Sequence, residues 1–239
     1  MKSISFIIPV YNEEKRLKKT FRALAKFKAP KGLKLSQVIF VNDGSTDNTL
    51  KVLKSTKLPY PIKIISYAKN KGKGYAVKKG LAQIKTDYGL FFDADIATPI
   101  NEIKKFVNYI NAGVPVIIGT RKNSHSTVVK PQPVYRQVLG KCFTYLSNIA
   151  LNTWVTDFTC GFKAFSKTAA KQISRRMAIN RWGFDSEIMF LSRKLGFKIQ
   201  EVAVIWADDP NSRVNLTKDI VRSFGELIQI RLNQAKGKY

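Results

Sequence analysis

Two aspartates separated by one residue, Asp93 and Asp95, follow an apolar run in the segment LFFDADIATP, residues 90–99. In an extended segment, residues i and i+2 point to the same face. Two carboxylates held this close repel each other, and burying them without a partner is costly. A divalent cation removes that cost, because Mg²⁺ or Mn²⁺ prefers hard oxygen ligands such as carboxylates and phosphates. The pattern predicts a metal site at a strand end, although a solvated turn explains many isolated triplets of this kind.

Another carboxylate lies where a second apolar run ends. In VNDGSTDNT, residues 41–49, Asp43 follows a strand-like run, and Gly44 permits a tight turn. The Asp43 carboxylate is predicted to accept hydrogen bonds from a ribose or a base. The alternative is structural, with Asp43 only capping the next helix together with Ser45.

A basic loop broken by glycines, NKGKGYAVKKG at residues 70–80, lies at the start of a predicted helix. Its Lys71 and Lys73 suit an anionic ligand, and the glycines permit close approach to the backbone. The loop lacks the G-x-x-x-x-G-K-[ST] pattern of a phosphate loop. It therefore does not predict ATP hydrolysis.

Arginines supply further candidate phosphate ligands. Arg121 follows the apolar run VPVIIGT, and its guanidinium could bind a phosphate. Arg136 and Arg213 are further candidates. The alternative for each is a solvated side chain, the usual state of arginine in a basic chain.

These residues must be positioned by the strands and helices that alternate in the first half of the chain. Helix-like segments separate five strand-like runs, at 3–10, 37–43, 62–67, 88–94 and 114–120. This alternation predicts an α/β fold, with a mostly parallel sheet covered by helices on both faces. Ligands bind at the carboxyl ends of the strands in such sheets, which is where the candidate aspartates lie.

The second half has a different pattern. A polar, proline-bearing loop is predicted at 125–133 and a strongly apolar helix at 134–151. A short strand at 161–166, two helices and a last strand at 198–206 follow. Residues 216–236 carry apolar residues at helical spacing, with basic residues between them.

The composition restricts the partners. The 239 residues include 42 Lys+Arg and 16 Asp+Glu, a formal charge of +26 that predicts an anionic partner. The basic residues are spread along the whole chain, which argues against a nucleic-acid-binding arm and leaves phosphates and anionic lipid headgroups as partners. One histidine excludes a multi-histidine zinc site.

No stretch reaches the roughly 18 uninterrupted apolar residues that suggest a membrane span. The N-terminal segment SISFIIPV lacks the layout of a secretory signal. We therefore expect a cytoplasmic protein.

Seven segments together resemble one known family. They are IIPVYNEE, VNDGSTDNT, NKGKGYAVKKG, DADIATP, GTR, DFTCGFKAF and RWGFDSEI. Their order and spacing resemble glycosyltransferase family 2 over roughly residues 3–213. Within it they look most like the polyprenyl-phosphate (dolichyl-phosphate) glucosyl- and mannosyltransferases, and NKGKG, TCGFKAF and RWGFDSEI look more like the glucose branch.

The resemblance implies a GT-A fold, a nucleotide-sugar donor and a divalent cation, Mg²⁺ or Mn²⁺. It places Asp93 and Asp95 on the metal and gives Asp95, Asp157 and Arg121 catalytic roles. Arg121 and Arg136 would meet the acceptor phosphate. The nucleotide-sugar site would comprise Pro9, Tyr11, Glu13, Asp43, Lys73, Asp93, Ala94, Asp95 and Arg213.

Some details of the resemblance leave alternatives. Some mannosyl relatives use a glutamine as a further metal ligand where this chain has Ala97, so water would replace it. Asp157 matches an active-site aspartate that orients groups or, for a hydroxyl acceptor, acts as the general base. Asp185 and Glu187 are secondary candidates, with a structural role at a helix start as the alternative.

The implied reaction is an inverting transfer of a hexose from a nucleotide sugar to a polyprenyl or dolichyl phosphate at the membrane surface. The branch resemblance favours glucose from UDP-glucose. The alternatives are GDP-mannose as the donor and a glycan hydroxyl as the acceptor. A non-catalytic nucleic-acid-binding module is a remote alternative.

We expect a GT-A domain at 1–213, with a nucleotide-sugar half at 1–123 and an acceptor half at 124–213. A basic amphipathic helix at 214–239 would follow. The apolar helix 134–151 and this tail predict peripheral attachment to anionic bilayers on the cytoplasmic face. The alternative for the tail is a helix that packs on the core or on a second subunit.

Overall fold

The computed structural model describes residues 1–131, 133–208 and 216–239, without the side chains of Arg136 and of residues 216–221. The strands are β1 (Lys2–Val10), β2 (Leu33–Asn42), β3 (Ile62–Ser66), β4 (Tyr88–Phe92), β5 (Val116–Thr120), β6 (Thr127–Lys130), β7 (Phe162–Ser166), β8 (Ile199–Ala203) and β9 (Ile205–Ala207). The helices are α1 (Leu17–Lys26), α2 (Thr49–Ser55), α3 (Lys73–Leu81), α4 (Val107–Asn111), α5 (Val134–Leu151), α6 (Lys167–Arg176), α7 (Phe184–Lys194) and α8 (Leu216–Ala235). A 3₁₀ helix, Ile100–Phe106, precedes α4.

A seven-stranded sheet in the order β3-β2-β1-β4-β7-β5-β8 forms the centre of the fold. β1 pairs in parallel with β2 and β4, and β2 pairs in parallel with β3. β5 and β8 are also parallel, whereas β7 is antiparallel to its neighbours β4 and β5. The predicted α/β fold with a mostly parallel sheet is therefore confirmed.

The sheet is buried on both faces, which explains why its strands are apolar runs rather than alternating ones. On one face, Phe6 and Phe92 pack with Leu24 of α1 and with the 3₁₀ helix. On the other face, Ile7 and Phe91 pack with α3, α6 and α7. Because β2, β1 and β4 are neighbouring parallel strands, the turns that follow them come together at the carboxyl edge of the sheet.

The segment 125–133 is not wholly a loop, as the sequence predicted. Residues Thr127–Lys130 form β6, which pairs in parallel with β9 in a separate two-stranded sheet. All four β6 side chains are exposed, so their pattern carried no hydrophobic signal for a strand. The strand predicted at 198–206 is interrupted at Val204, so that β8 joins the large sheet and β9 joins the small one.

The helix after Asp43 begins at Thr49, and its side-chain cap predicted at Ser45 is absent. The Ser45 hydroxyl instead accepts the backbone N–H of Asn12 at 2.9 Å. The Asn12 side-chain oxygen in turn accepts the N–H of Thr46 at 2.7 Å. These hydrogen bonds join the turn after β1 to the turn after β2.

The last helix, α8, packs against α5 and α7. Leu227 and Ile230 are buried among core residues, and the rings of Phe143 and Phe224 lie 5.6 Å apart. In the portion that the structure describes, the inward side of the tail therefore contacts the core. Within the described residues, no helix combines the length and apolar character needed to cross a bilayer.

Candidate active site

The two candidate metal ligands lie in a tight turn rather than in a strand. β4 ends at Phe92, and the N–H of Ile96 donates to the Asp93 carbonyl at 3.1 Å. Ile96 has a φ of 53°, an uncommon conformation for a β-branched residue. Asp95 Oδ1 accepts the N–H of Ala97 at 3.0 Å. The turn therefore fixes the Asp95 carboxylate, which the extended-strand prediction did not anticipate.

Helix α1 holds this turn by its backbone. The Thr20 hydroxyl donates to the carbonyl of the buried Ala94 at 2.6 Å. The Lys19 ammonium donates to the Asp95 carbonyl at 2.9 Å. Because these two bonds use main-chain oxygens, they leave the carboxylates of the turn to other partners.

The charges around the turn are closely coupled. The Lys73 ammonium lies 2.7 Å from Asp93 Oδ1. Burial alone would lower the pKa of Lys73, but the carboxylates of Asp93, Asp185 and Asp95 raise it. Burial, together with the neighbouring Asp93 carboxylate, raises the pKa of Asp95. The turn is thus a site of negative charge, with the Lys73 ammonium on one of its carboxylates.

Two residues near the acidic turn, Gly161 and Lys163, were not candidates in the sequence analysis. A Cβ at Gly161 would collide with the Asp93 carboxylate, so this position requires glycine. Lys163, fully buried on β7, forms an ion pair with Asp185 and donates to the Cys160 carbonyl at 2.8 Å. Burial raises the pKa of Asp185 despite this partner. A lysine within an apolar strand was the available signal for a buried ion pair.

The donor set fits a divalent cation that completes its coordination with substrate oxygens. Among the described residues, no group of three or more His, Cys, Asp or Glu side chains could hold a metal by itself. Two carboxylates plus phosphate oxygens are a usual set for Mg²⁺. The Asp93 and Asp95 carboxylates have the oxygen chemistry of such a set, and the Lys73 ammonium lies on Asp93 Oδ1.

Asp43 organises the basic loop. Its carboxylate accepts the Asn70 amide at 2.7 Å, the Lys71 N–H at 2.9 Å and the Gly72 N–H at 2.9 Å. Arg181 Nη1 donates to the other side of the Asn70 amide at 2.7 Å. The buried Asp43 therefore fixes the start of α3, on which Lys73 is the first residue.

The residues predicted near the nucleotide lie on and after β1. Pro9 is buried in the strand, whereas Tyr11 is exposed. The Glu13 carboxylate forms an ion pair with Arg16 at 3.2 Å, and the Glu13 N–H donates to Thr49 Oγ1 at 2.7 Å. These residues border the carboxyl edge of β1 next to the turn that contains Asp43.

Arg121 and the buried Asp157 form a bidentate ion pair. The Arg121 Nε and Nη2 atoms donate to the two Asp157 carboxylate oxygens at 2.7 and 2.8 Å. Although burial alone would raise the pKa of Asp157, Arg121 holds it well below its usual range. The Arg121 guanidinium also lies 5.0 Å from the Trp206 ring centroid and donates to Thr159. The pair therefore rigidly joins the end of β5 to the segment before β7.

The structure describes only some of the remaining candidate residues. The Arg136 side chain and all of Arg213 lie outside the described residues. Glu187 is fully buried and accepts the Ala178 N–H at 2.7 Å and the Tyr239 hydroxyl at 2.6 Å. Glu187 therefore joins helix α7 to the segment after α8, which is the structural alternative considered for it.

Solved structures share this architecture at low sequence identity. Glucosyl-3-phosphoglycerate synthase from Mycobacterium tuberculosis, in complex with Mn²⁺, UDP and glucosyl-3-phosphoglycerate, matches with a TM-score of 0.72 and 16% identity, over 96% of this chain and 80% of that one. TarS from S. aureus (residues 1–349) matches with a TM-score of 0.59 and 19% identity, over 98% and 66%. These matches show that the chain has the GT-A fold.

The sequence comparisons specify the family. The model described as glycosyl transferase family 2 matches residues 5–174, and the chain belongs to this family. Dolichyl-phosphate beta-glucosyltransferase of Dictyostelium discoideum is 34% identical over 92% of this chain and 73% of its own length. The protein of the same name in Saccharomyces cerevisiae (strain ATCC 204508 / S288c) is 30% identical over 99% of this chain and 76% of its own length. The predicted resemblance is confirmed.

Proposed function

We propose that the protein transfers glucose from UDP-glucose to a polyprenyl or dolichyl phosphate at the membrane surface, using a divalent cation bound by Asp93 and Asp95. The observation that carries this proposal is the turn after β4, with two carboxylates and the Lys73 ammonium at the carboxyl edge of the sheet. The names of the curated relatives support glucose and dolichyl phosphate. Mn²⁺ and UDP in a fold neighbour support the cation and the nucleotide.

The donor side of the site must stabilise a leaving diphosphate. When the bond to the anomeric carbon breaks, negative charge develops on the diphosphate oxygens, and fixed positive charge nearby lowers the barrier. A divalent cation on Asp93 and Asp95 would supply Lewis-acid charge at these oxygens. Lys73 stays protonated because its pKa is raised, and we assign it to the same diphosphate.

The nucleotide side is assigned to the turns after β1 and β2. Each carboxylate oxygen can accept more than one hydrogen bond, so Asp43 can hold the basic loop and still accept a ribose or base donor. Pro9, Tyr11, Glu13 and Ala94 border this edge and complete the proposed pocket. Arg213 stays a prediction from the sequence, because it lies outside the described residues.

The acceptor side favours a phosphate over a hydroxyl. A polyprenyl phosphate is already an anionic nucleophile and needs positioning rather than a general base. Asp157 has both oxygens bonded to Arg121 and a pKa well below its usual range, so it is a poor proton acceptor. We therefore assign Asp157 a positioning role through Arg121, with Arg121 and Arg136 as the predicted contacts of the acceptor phosphate.

We assign contact with the membrane surface to helix α5. Helices on a protein surface usually turn polar side chains to solvent, but α5 exposes an apolar stripe. Its members are Val134, Tyr135, Val138, Leu139, Tyr145, Leu146 and Ile149. An apolar helix face flanked by cations suits the interface of an anionic bilayer. The negative potential of the cytoplasmic leaflet would attract a chain of charge +26.

Transfer assays test the proposed reaction. We expect hexose transfer from UDP-glucose to a polyprenyl phosphate with Mg²⁺ or Mn²⁺, and none after chelation. Asp95→Ala should lower the rate by about 100-fold or more, the scale for removing a main electrostatic element. Asp87→Asn is the matched control, because this exposed carboxylate bonds Ser3 at the other end of β4. Preference for GDP-mannose or for a glycan hydroxyl acceptor would contradict the proposal.

Vesicle flotation tests the membrane assignment separately. We expect binding to vesicles that contain acidic lipids, weakening with added salt because surface charge attraction is screened. Val138→Asp should abolish flotation if the α5 stripe enters the interface. Asn111→Asp, at the exposed end of α4, adds the same charge elsewhere and should have no effect. Equal flotation of both variants would refute the assignment to α5.

A further inference from the structure

The segment between α6 and α7, residues 177–183, packs tightly against the glycine-broken loop at the start of α3. A Cβ added at Gly72 or at Gly74 would collide with backbone carbonyls of this segment. The Tyr75 N–H, in the first turn of α3, donates to the Asn180 carbonyl at 3.1 Å. Because the two backbones are in direct contact, a displacement of the 177–183 segment would also displace the start of α3.

Trp182 brings an aromatic ring from this segment to Lys73. The Lys73 ammonium lies 5.5 Å from the centroid of the Trp182 ring, a distance at which the face of an aromatic ring attracts a cation. The rings of Phe91 and Phe184 lie 5.7 and 5.8 Å from the same ammonium, and both are fully buried. Two of the three rings are therefore fixed in the core, whereas the position of Trp182 depends on the 177–183 segment.

Both neighbours of Trp182 in the sequence are held by hydrogen bonds. On one side, Arg181 Nη1 donates to the Asn70 side-chain oxygen at 2.7 Å. On the other side, the Gly183 N–H donates to Glu226 Oε2 of α8 at 2.6 Å. Hydrogen bonds to a carboxylate are among the stronger ones in proteins. The Trp182 ring is thus fixed from both sides, and one of the two bonds comes from α8.

The contact between Glu226 and Gly183 requires a close approach of the two chains. A Cβ at Gly183 would lie 2.7 Å from the Glu226 Cβ, so this position requires glycine. Gly183 directly precedes α7, where a carboxylate is favourable to the helix dipole. Leu227, next to Glu226, is buried in the core, and the Phe224 ring packs against Phe143 of α5. A well-packed helix therefore carries the carboxylate that holds the segment.

We infer that Glu226 is a positioning residue for the donor diphosphate. It holds the 177–183 segment through the Gly183 N–H, and the segment in turn places the Trp182 ring on Lys73. The inference rests on the proposed function, which assigns Lys73 to the diphosphate, and deepens it by giving α8 a part in donor binding. The alternative is that Glu226 only stabilises the start of α7.

Calorimetric titration of the full chain with UDP and with GDP, each in the presence of Mn²⁺, tests the inference without a sugar or a lipid. We expect Glu226→Ala to weaken the binding of the nucleoside diphosphate by about tenfold, a moderate loss for a misplaced binding group. Glu226→Gln should largely restore the affinity, because its amide oxygen can still accept the Gly183 N–H. Arg222→Ala, exposed one turn earlier on α8, is the control and should not change binding.

A double-mutant cycle tests whether Glu226 acts through Lys73. In a Lys73→Met background the ammonium is missing, so Glu226→Ala should weaken nucleoside-diphosphate binding little further. Trp182→Leu should weaken binding about as much as Glu226→Ala does. Additive losses from Glu226→Ala and Lys73→Met would show that the two side chains act independently, and would overturn the inference.

The fluorescence of Trp182 reports its position directly. The chain contains three tryptophans, so Trp154→Phe combined with Trp206→Phe leaves Trp182 as the one emitting residue. We expect Glu226→Ala in this background to shift the emission to longer wavelength, because the ring loses its fixed position and meets more water. An unchanged emission maximum would mean that Glu226 does not hold Trp182.

Two further results would overturn the inference. One is a Glu226→Ala variant with a lowered melting temperature and the nucleoside-diphosphate affinity of the wild type, because Glu226 would then only stabilise α7. The other is a wild type that binds neither UDP nor GDP. If Glu226→Ala fails to fold, Trp182→Leu still tests the ring, since it keeps the backbone and side-chain bonds of its neighbours, and wild-type affinity in this variant would also refute the inference.

A kinetic experiment separates this inference from the proposed function. If nucleoside-diphosphate binding depends on Glu226 but no hexose is transferred to a polyprenyl phosphate, the inference stands and the proposed function fails. If hexose is transferred and Glu226→Ala leaves the KM of UDP-glucose unchanged, the function stands and the inference is refuted. We expect Glu226→Ala to raise the KM of UDP-glucose and to leave that of the polyprenyl phosphate unchanged.

Discussion

The Lys73 ammonium lies 2.7 Å from the Asp93 carboxylate. This contact joins two segments that are distant in sequence, the glycine-broken loop before α3 and the acidic turn after β4. Asp185 and Asp95 also act on Lys73 and help to raise its pKa. One protonated lysine thus offsets several carboxylates at the position where we assign the divalent cation.

Replacing Lys73 should make the protein more dependent on metal. Lys73→Met leaves the carboxylates of the turn repelling one another. The free energy of unfolding should fall by about 1–2 kcal/mol, less than for a fully buried pair because both side chains are partly exposed. Added Mn²⁺ should then raise the melting temperature more in the variant than in the wild type. Thermal melts with Mn²⁺ and with chelator measure both effects.

The control for this experiment is Lys69→Met, an exposed lysine directly before this loop. It should match the wild type in both melts. An identical Mn²⁺-induced shift in Lys73→Met and the wild type would show that Lys73 does not offset the carboxylates of the metal site.

Gly161→Ala should displace Asp93 with little change elsewhere. The added Cβ would collide with the Asp93 carboxylate, so the side chain must leave its position beside Lys73. We expect Mn²⁺ affinity, measured by titration, to fall by about tenfold or more, the scale found when a metal ligand loses its orientation. Gly225→Ala on α8, where a Cβ meets no atom within 4 Å, should leave it unchanged. Unchanged affinity in Gly161→Ala would argue against Asp93 as a ligand.

Breaking the Arg121–Asp157 pair should destabilise the fold strongly. Asp157→Asn leaves the guanidinium of Arg121, which is only 16% exposed, without its charge partner, which costs about 3–5 kcal/mol in buried pairs. Adding Arg121→Met to Asp157→Asn should cost less than the sum of the single changes, because no buried charge is left. Urea unfolding of the wild type and the three variants forms the required cycle. Additive losses would show that the two side chains do not interact.

The same pair predicts a pH dependence. Because the pKa of Asp157 is lowered in the folded state, its ionisation stabilises the protein above the pKa of the unfolded chain, about 3.9. That stability is lost progressively as the pH falls through about 5 towards 1. The difference in unfolding free energy between the wild type and Asp157→Asn should therefore shrink on acidification. A difference that stays constant from neutral to acidic pH would contradict the assigned charge state.

Tyr239 should contribute to stability through its hydroxyl. Tyr239 donates to Glu187 at 2.6 Å and accepts the Asn233 amide at 3.0 Å. Tyr239→Phe should lower the free energy of unfolding by about 1–3 kcal/mol, the cost of leaving a buried polar group without its partner. Tyr135→Phe, exposed on α5, is the control in urea unfolding. No loss in Tyr239→Phe would mean that the hydroxyl adds nothing at this site.

The alternation of strands and helices was sufficient to predict the sheet, because both of its faces are buried. The same burial made β1, β2, β4 and β5 readable as apolar runs. Strand β6 was not predicted, because all of its side chains are exposed and its pairing partner, β9, lies more than seventy residues later in the sequence. Pairing between distant, exposed segments leaves no trace in local hydropathy.

The acidic turn could be located from the sequence, but its surroundings could not. Asp93 and Asp95 follow a recognisable strand. Gly161 and Lys163, by contrast, are part of the site only because they lie against Asp93 and Asp185, respectively, in the folded chain. Arg121 and Asp157 were both candidates, yet their mutual ion pair depends on how β5 and the segment before β7 meet. Tertiary pairing decides such contacts, and a single sequence carries no direct signal for it.

The antiparallel strand β7 comes from the second half of the chain, but it lies between β4 and β5, which both belong to the first half. The part of the molecule assigned to the donor therefore has a gap in its sheet until the later part has been synthesised. Cutting the chain near residue 123 would not yield two autonomous modules, because each piece would lack strand partners. Exchanging residues 124–213 between relatives as one block would therefore also exchange a strand from the middle of the central sheet.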